Sequence, residues 1–220
     1  MLGALAPVAL ISFAACGGKA ATHSIDPGGP AFDGAVEGRA TGPYHPDASC
    51  AVTIDSPPLL DGVHVPIGSE VLYNSNPPSS GPHYPIWAAY QEFTTPVDRR
   101  YYVHDIEHGA VVLLYKCDAD AGDAGDLDGG DGGTACEALV EGLRKAAAAI
   151  ETDPLCDQDA GVRVRVVITP DPLLATPIAA TAWGNTYTAA CVDLPTLSAF
   201  AKAHYGHGSE ISCANGISSF

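Results

Sequence analysis

The run Val103-His104-Asp105-Ile106-Glu107-His108-Gly109, followed at once by Ala110–Tyr115, constrains the fold of this chain more than any other stretch. Ala110–Tyr115 is apolar without interruption and rich in valine and leucine, the pattern of a strand buried on both faces. Such a strand needs cover above and below, so the chain must build a layered sheet. The residues ahead of it carry chemistry. In an extended strand His104 and His108 would share a face but stand about 13 Å apart. In a helical turn the rise between them is only about 6 Å, with both side chains on one side. A single ion with ligand bonds of about 2 Å requires the helical form. Gly109 supplies the residue that commonly ends a helix in the left-handed conformation. The expectation is a one-turn coil presenting two imidazoles and Glu107 at the mouth of a buried strand.

The letters also fit H-x-x-E-H, in which two histidines bind zinc and the glutamate activates water. Those motifs sit on long helices, whereas Gly109 stops this one. No further carboxylate ligand stands out, although Glu137, Glu141 and Glu151 lie on a possible helix. Protease chemistry is therefore set aside. The bland alternative to metal binding is a histidine-rich turn whose rings bond backbone carbonyls.

Upstream, Tyr73–Pro85 (YNSNPPSSGPHYP) has four prolines in thirteen residues, which excludes a central strand or helix interior. A stiff loop holds a side chain in place at little entropic cost. His83 is the side chain it would present, as a third imidazole beside His104 and His108. The competing reading makes the loop a packing element over a sheet edge. Val63-His64-Val65 alternates like a short strand, with His64 as a surface side chain.

The two motifs YNSNPPSSGPHYP and VHDIEHGAVV, with Ala182-Trp183-Gly184 and the closing His204…Glu210, resemble the bacterial family called domain of unknown function 3105. The resemblance covers roughly residues 65–210. It implies an exported or membrane-anchored protein and no established reaction, so the metal reading rests on the residues alone.

Residues 1–15 read as a signal peptide. Leu2–Ala15 is apolar but, at fourteen residues, too short for a membrane span. Phe13-Ala14-Ala15-Cys16 followed by Gly17 resembles a lipobox, making Cys16 a lipidated N-terminus. No Lys or Arg precedes the apolar run, and Phe13 stands where leucine is commoner. The absence of aspartate at position 17 points to the outer membrane, facing the periplasm or the surface. Residues 16–49, rich in Gly, Pro and Ala and including His23 and His45, read as a flexible tether. Residues 50–220 then form one domain, long enough for a well-buried core.

With 26 acidic against 10 basic residues the net charge is −16. That excludes nucleic acid as a partner and leaves the lipid anchor as the only hold on a membrane. Part of the acidity belongs to an insertion, 118–133, where six aspartates alternate with Gly and Ala. Asp118–Asp123 faintly echoes a calcium loop but lacks the bidentate glutamate, so a solvated excursion is the better reading.

Six cysteines remain after Cys16, none in a C-x-x-C pair, which reads as up to three disulfides in an exported protein. Proximity favours Cys117–Cys136 across the insertion. Cys156–Cys191 and Cys50–Cys213 are the provisional remainder.

The periodicities predict a helix over 134–151, strands over 162–169, 178–183 and 186–191, and a second helix over 195–205. Cys50–Ile54 reads as a short strand and Ile86–Phe93 as a short helix. Arg163 and Arg165 should face solvent. Trp183 reads as a core anchor, and His204 and His207 as helix-end residues. The fold class is α+β: a mainly antiparallel sheet with two helices packed on one face, wrapped by the Pro-rich N-terminal loops. A ferredoxin-like arrangement is one candidate.

Three functions follow. The first is a zinc- or copper-binding envelope lipoprotein using His83, His104 and His108, with Glu107 as fourth ligand or its partner. The second is a metal-dependent enzyme at the same site, with Glu107 as its catalytic group. The third is a non-enzymatic module binding a protein or glycan through the Pro- and Tyr-rich loop.

Overall fold

Five consecutive buried residues, Val111–Tyr115, form the strand around which the sheet is assembled. The computed structural model describes residues 38–39, 49–117, 132–153, 155–156 and 162–220. Residues 1–15, expected as a signal peptide, Cys16, expected as the lipidation site, most of 16–49, expected as a tether, and nearly all of the insertion 118–133 lie outside the described residues, as do His23, His45 and Asp118–Asp123.

Gly38–Arg39 (β1) and Ser49–Cys50 (β2) form a small antiparallel pair. The main sheet comprises Val52–Asp55 (β3), Val111–Tyr115 (β4), Val166–Pro170 (β5), Ile178–Ala182 (β6) and Asn185–Ala189 (β7). Its order is β3-β7-β6-β4-β5. Every neighbouring pair is antiparallel except β4 with β5. That parallel pair needs a long crossover, and the helix Gly132–Ala148 (α2) lies between its strands in sequence. The parallel edge departs from the ferredoxin-like candidate.

Alternation along β4 divides the core. Val111, Leu113 and Tyr115 pack with α2 and with the helix Leu194–His204 (α3) on one face. Val112 and Leu114 face the other way, into a second cluster with Tyr102, Val103 and Ile106. Those three belong to Arg99–Glu107 (α1). The sheet thus carries the two expected helices on one face and a third on the other. Ile106 is wholly buried, and truncating a side chain so placed costs about 2–5 kcal/mol.

Helix α1 is longer than one turn. Asp98 caps its start, accepting from Arg100 N at 2.9 Å, so the helix begins well before the histidines. Its end lies where the sequence puts it: Gly109 has φ +83°, and a Cβ there would come within 2.9 Å of Arg165 and 3.1 Å of the Gly206 backbone.

Ile86–Phe93 is not a helix. Its backbone bonds are made outward, Ala89 N to Ile217 O at 2.8 Å and Phe93 N to Ile168 O at 2.8 Å, the latter covering the free edge of β5. Arg165 is 2 % exposed rather than solvent-facing. Its guanidinium donates to His108 O, a carbonyl left over at the end of α1, and to Asp153 Oδ2 at 2.9 Å.

The disulfides are Cys117–Cys136, Cys50–Cys191 and Cys156–Cys213. The first is the expected pair. The other two replace Cys156–Cys191 and Cys50–Cys213, because Cys50 precedes β3, which pairs with β7, and Cys191 follows β7. Strand pairing brings those two cysteines together.

Candidate metal centre

Three segments far apart in sequence meet over the outer face of α1. His104 and Glu107, three residues apart, project from the same side of the helix. The loop that carries His83 runs beside Val63–Val65. His83 N donates to Val63 O at 3.0 Å, and Val65 N donates to His83 O at 2.8 Å. This short parallel bridge sets His64 and His83 next to each other.

The result is a group of four side chains, His64, His83, His104 and Glu107, whose potential ligand atoms lie within 4.8 Å of one another. The rings of His83 and His104 are 4.6 Å apart between centroids, those of His64 and His104 4.8 Å, and those of His64 and His83 5.1 Å. His83 is fully buried, His104 is 2 % exposed and Glu107 5 % exposed, whereas His64 is exposed.

Bonds behind the rings fix their chemistry. His83 Nδ1 lies 2.9 Å from Gly81 O, and His104 Nδ1 lies 2.7 Å from Tyr84 O. A carbonyl only accepts, so each ring carries a proton on Nδ1 and turns Nε2 towards the group. This is the pattern of a metal-ligating histidine, with a backbone carbonyl holding the tautomer. Nε2 of His83 stands 2.9 Å from Glu107 Oε2 yet makes no hydrogen bond in the structure, and it is buried from water. An imidazole nitrogen and a carboxylate oxygen, both atoms that can ligate a metal, therefore face each other at contact distance. Serine 209 holds the other carboxylate oxygen, with Ser209 Oγ donating to Glu107 Oε1 at 3.2 Å. Gly62 leaves room for that carboxylate, since a Cβ there would collide with Glu107 Oε1.

His108 falls outside the four. It caps α1, its ring 4.5 Å from that of His104 and 4.6 Å from Trp87. Its Nε2 is 3.8 Å from the exposed Glu210 carboxylate, and its Nδ1 is buried without a partner. Of the residues singled out in the sequence, the structure gathers His83, His104 and Glu107, and it substitutes His64 for His108. The sequence offered one hint of His64, the alternation of Val63-His64-Val65, but nothing that placed it against His83. Trp87, packed against both His104 and His108, was not singled out either.

Burial holds the imidazoles of His104 and His108 neutral. It pushes His104 down from 6.5 to about 3, with the neighbouring His108 and His83 adding to the effect. His108 is lowered to about 4, again chiefly by burial, with Glu210 opposing. Neutral imidazole is the form that binds a metal. Asp105 points away from the group, fully buried. Its carboxyl accepts from Ala88 N at 3.2 Å, and burial raises its pKa well above the usual carboxylate range.

The donor set fits a borderline-soft divalent ion: three imidazoles and one carboxylate suit Zn²⁺ or Cu²⁺, whereas Ca²⁺ and Mg²⁺ prefer all-oxygen shells. Four-coordinate zinc with bonds of about 2.0–2.1 Å places its ligand atoms about 3.3 Å apart. The ligand atoms of the group all lie within 4.8 Å of one another, near that spacing.

Comparison with known proteins gives one result that bears on the site. The family model described as "Protein of unknown function (DUF3105)" matches residues 64–215, a span that contains all four side chains. No curated protein and no solved structure matches the chain.

Proposed function

Because this chain belongs to the DUF3105 family, whose description assigns no activity, we propose its function from the site itself: it binds one zinc or copper ion through His64, His83, His104 and Glu107. The observation that carries the reading is the buried contact between His83 Nε2 and Glu107 Oε2, 2.9 Å apart without a hydrogen bond. The two atoms already converge as ligands of one ion would, and the carbonyls behind His83 and His104 bond Nδ1 and orient Nε2 of each ring towards the group.

The site belongs, in this reading, to an envelope lipoprotein: residues 1–15 direct export, Cys16 carries the lipid, and residues 16–49 tether the domain. No described helix is long and apolar enough to cross a membrane. No reaction is assigned to the ion. The alternative of a docking loop for a protein or glycan is not favoured. Pro77–Gly81, His83 and Tyr84 are buried, and the Tyr84 hydroxyl accepts from Gly68 N at 2.9 Å, so little of this loop is free to meet a partner.

The test is equilibrium dialysis of the mature protein against Zn²⁺ and Cu²⁺, followed by elemental analysis. One ion per chain is expected for wild type and for His108→Ala, and none for His104→Ala. Background metal in the wild type at saturating supply, or loss of the ion in His108→Ala with retention in His104→Ala, contradicts the assignment.

A further inference from the structure

The four side chains of the group are not held alike. His83, His104 and Glu107 are buried and tied from behind, to Gly81 O, Tyr84 O and Ser209 Oγ respectively. His64 is exposed, and among the described residues its ring makes no hydrogen bond. Its backbone is anchored by the bridge to His83, but the residues around it, Asp61–Val63 and Pro66–Gly68, are exposed as well. A buried, pre-oriented ligand loses little entropy on binding and has nowhere to swing on release. An exposed imidazole without such a tie can detach into water and return.

We propose that His64 is the exchanging ligand of this centre, so that the ion is cargo handed to an incoming nitrogen or sulfur donor and not a permanent structural ion. This rests on the metal-binding reading above and adds the route of entry and exit. Exchange is ligand substitution: the bond to the His64 ring nitrogen breaks, a bond to the incoming donor forms, and no electron changes hands. Among the described residues, the His64 side is the exposed side of the group. The opposite sides are closed by α1, by the Tyr84 loop and by the strap His207–Glu210, in which Glu210 N donates to Glu107 O at 3.0 Å. The acceptor chemistry that fits is a donor group able to reach an exposed loop, such as an imidazole or thiolate of another protein or a small chelating molecule.

The experiment loads the full mature chain with Zn²⁺ and follows transfer to an excess of a chromogenic chelator by stopped flow. For wild type the rate should rise with chelator concentration, because the chelator competes with His64 for its place. His64→Ala and His64→Gln should still bind one zinc each, with weaker affinity, and release it roughly 10–100-fold faster. Both residues replace an exposed side chain, and far-UV circular dichroism checks that the fold is kept. Equal release rates for wild type and both variants overturn the assignment of His64 while leaving the site intact. Rates that ignore chelator concentration and stay as slow in both variants also overturn it, since release would then wait on an opening of the fold. A wild-type chain that binds no zinc at all overturns the site and this assignment together.

Discussion

The Nε2 atom of His83 stands 2.9 Å from Oε2 of Glu107, and each side chain is tied from behind. His83 Nδ1 lies 2.9 Å from Gly81 O, and Glu107 Oε1 accepts from Ser209 Oγ at 3.2 Å. The contact is made between a rigid loop and the last residue of α1, so its length is set by packing and not by side-chain choice.

Replacing the carboxylate should therefore separate binding from folding. Glu107→Gln keeps the shape and the bond from Ser209 but removes the negative charge. Zinc affinity should fall by more than the roughly 10–100-fold that loss of an outer partner costs, while the apo protein is as stable as wild type or more so. Isothermal titration and urea melts measure the two quantities. Undiminished affinity would make Glu107 a bystander.

The buried imidazoles set an acid limit on the metal-free protein. Their folded pKa values, about 3 for His104 and about 4 for His108, lie below the 6.5 of the unfolded chain. Between these values the unfolded state takes up protons that the folded state refuses, so stability rises with pH there and is lost as pH falls from 6.5 towards 4. His104→Gln should flatten this slope, read as the difference between apo wild type and apo variant in urea midpoints at pH 7, 5.5 and 4.5. Parallel profiles would remove His104 from the account.

Asp105 acts in the opposite direction. Burial raises its folded pKa above the 3.8 of an ordinary aspartate, so its contribution is complete below that pH and is lost as pH rises. Asp105→Asn preserves an acceptor for Ala88 N and abolishes the titration. The apo variant should match wild type near pH 4 and melt higher at pH 8, by about 2–4 °C for each kcal/mol gained. A lower melting point at pH 8 would mean that the ionised carboxylate has a partner.

The three disulfides should differ in worth. Their sequence separations of 141, 57 and 19 residues correspond, by loop-closure entropy, to about 5, 4 and 3 kcal/mol. Serine replacement of Cys50 and Cys191 should lower the urea midpoint most, and of Cys117 and Cys136 least. Peptide mapping without reduction checks the connectivity first. Recovery of Cys156 linked to Cys191 would contradict the strand pairing of β3 with β7.

Much of the framework was legible because it is local. The unbroken apolar run of β4, the periodic apolar face of α2, the turn at Gly184 between β6 and β7, and the stop at Gly109 each follow from residues a few positions apart. The shared face of His104 and Glu107 is local too, once the segment is helical. The N-cap at Asp98 was also there to be read, and missing it made α1 look a turn long.

What the sequence by itself determined is which residues could form each element and which face of it is apolar. Only the tertiary structure decided that His64 joins His83, that His108 stands aside, that Arg165 is buried and that Cys50 meets Cys191. Each of these depends on how segments separated in the chain pack against one another. Periodicity reports neighbours on one element, whereas long-range contacts depend on how whole faces pack, and the same apolar pattern is compatible with many such packings.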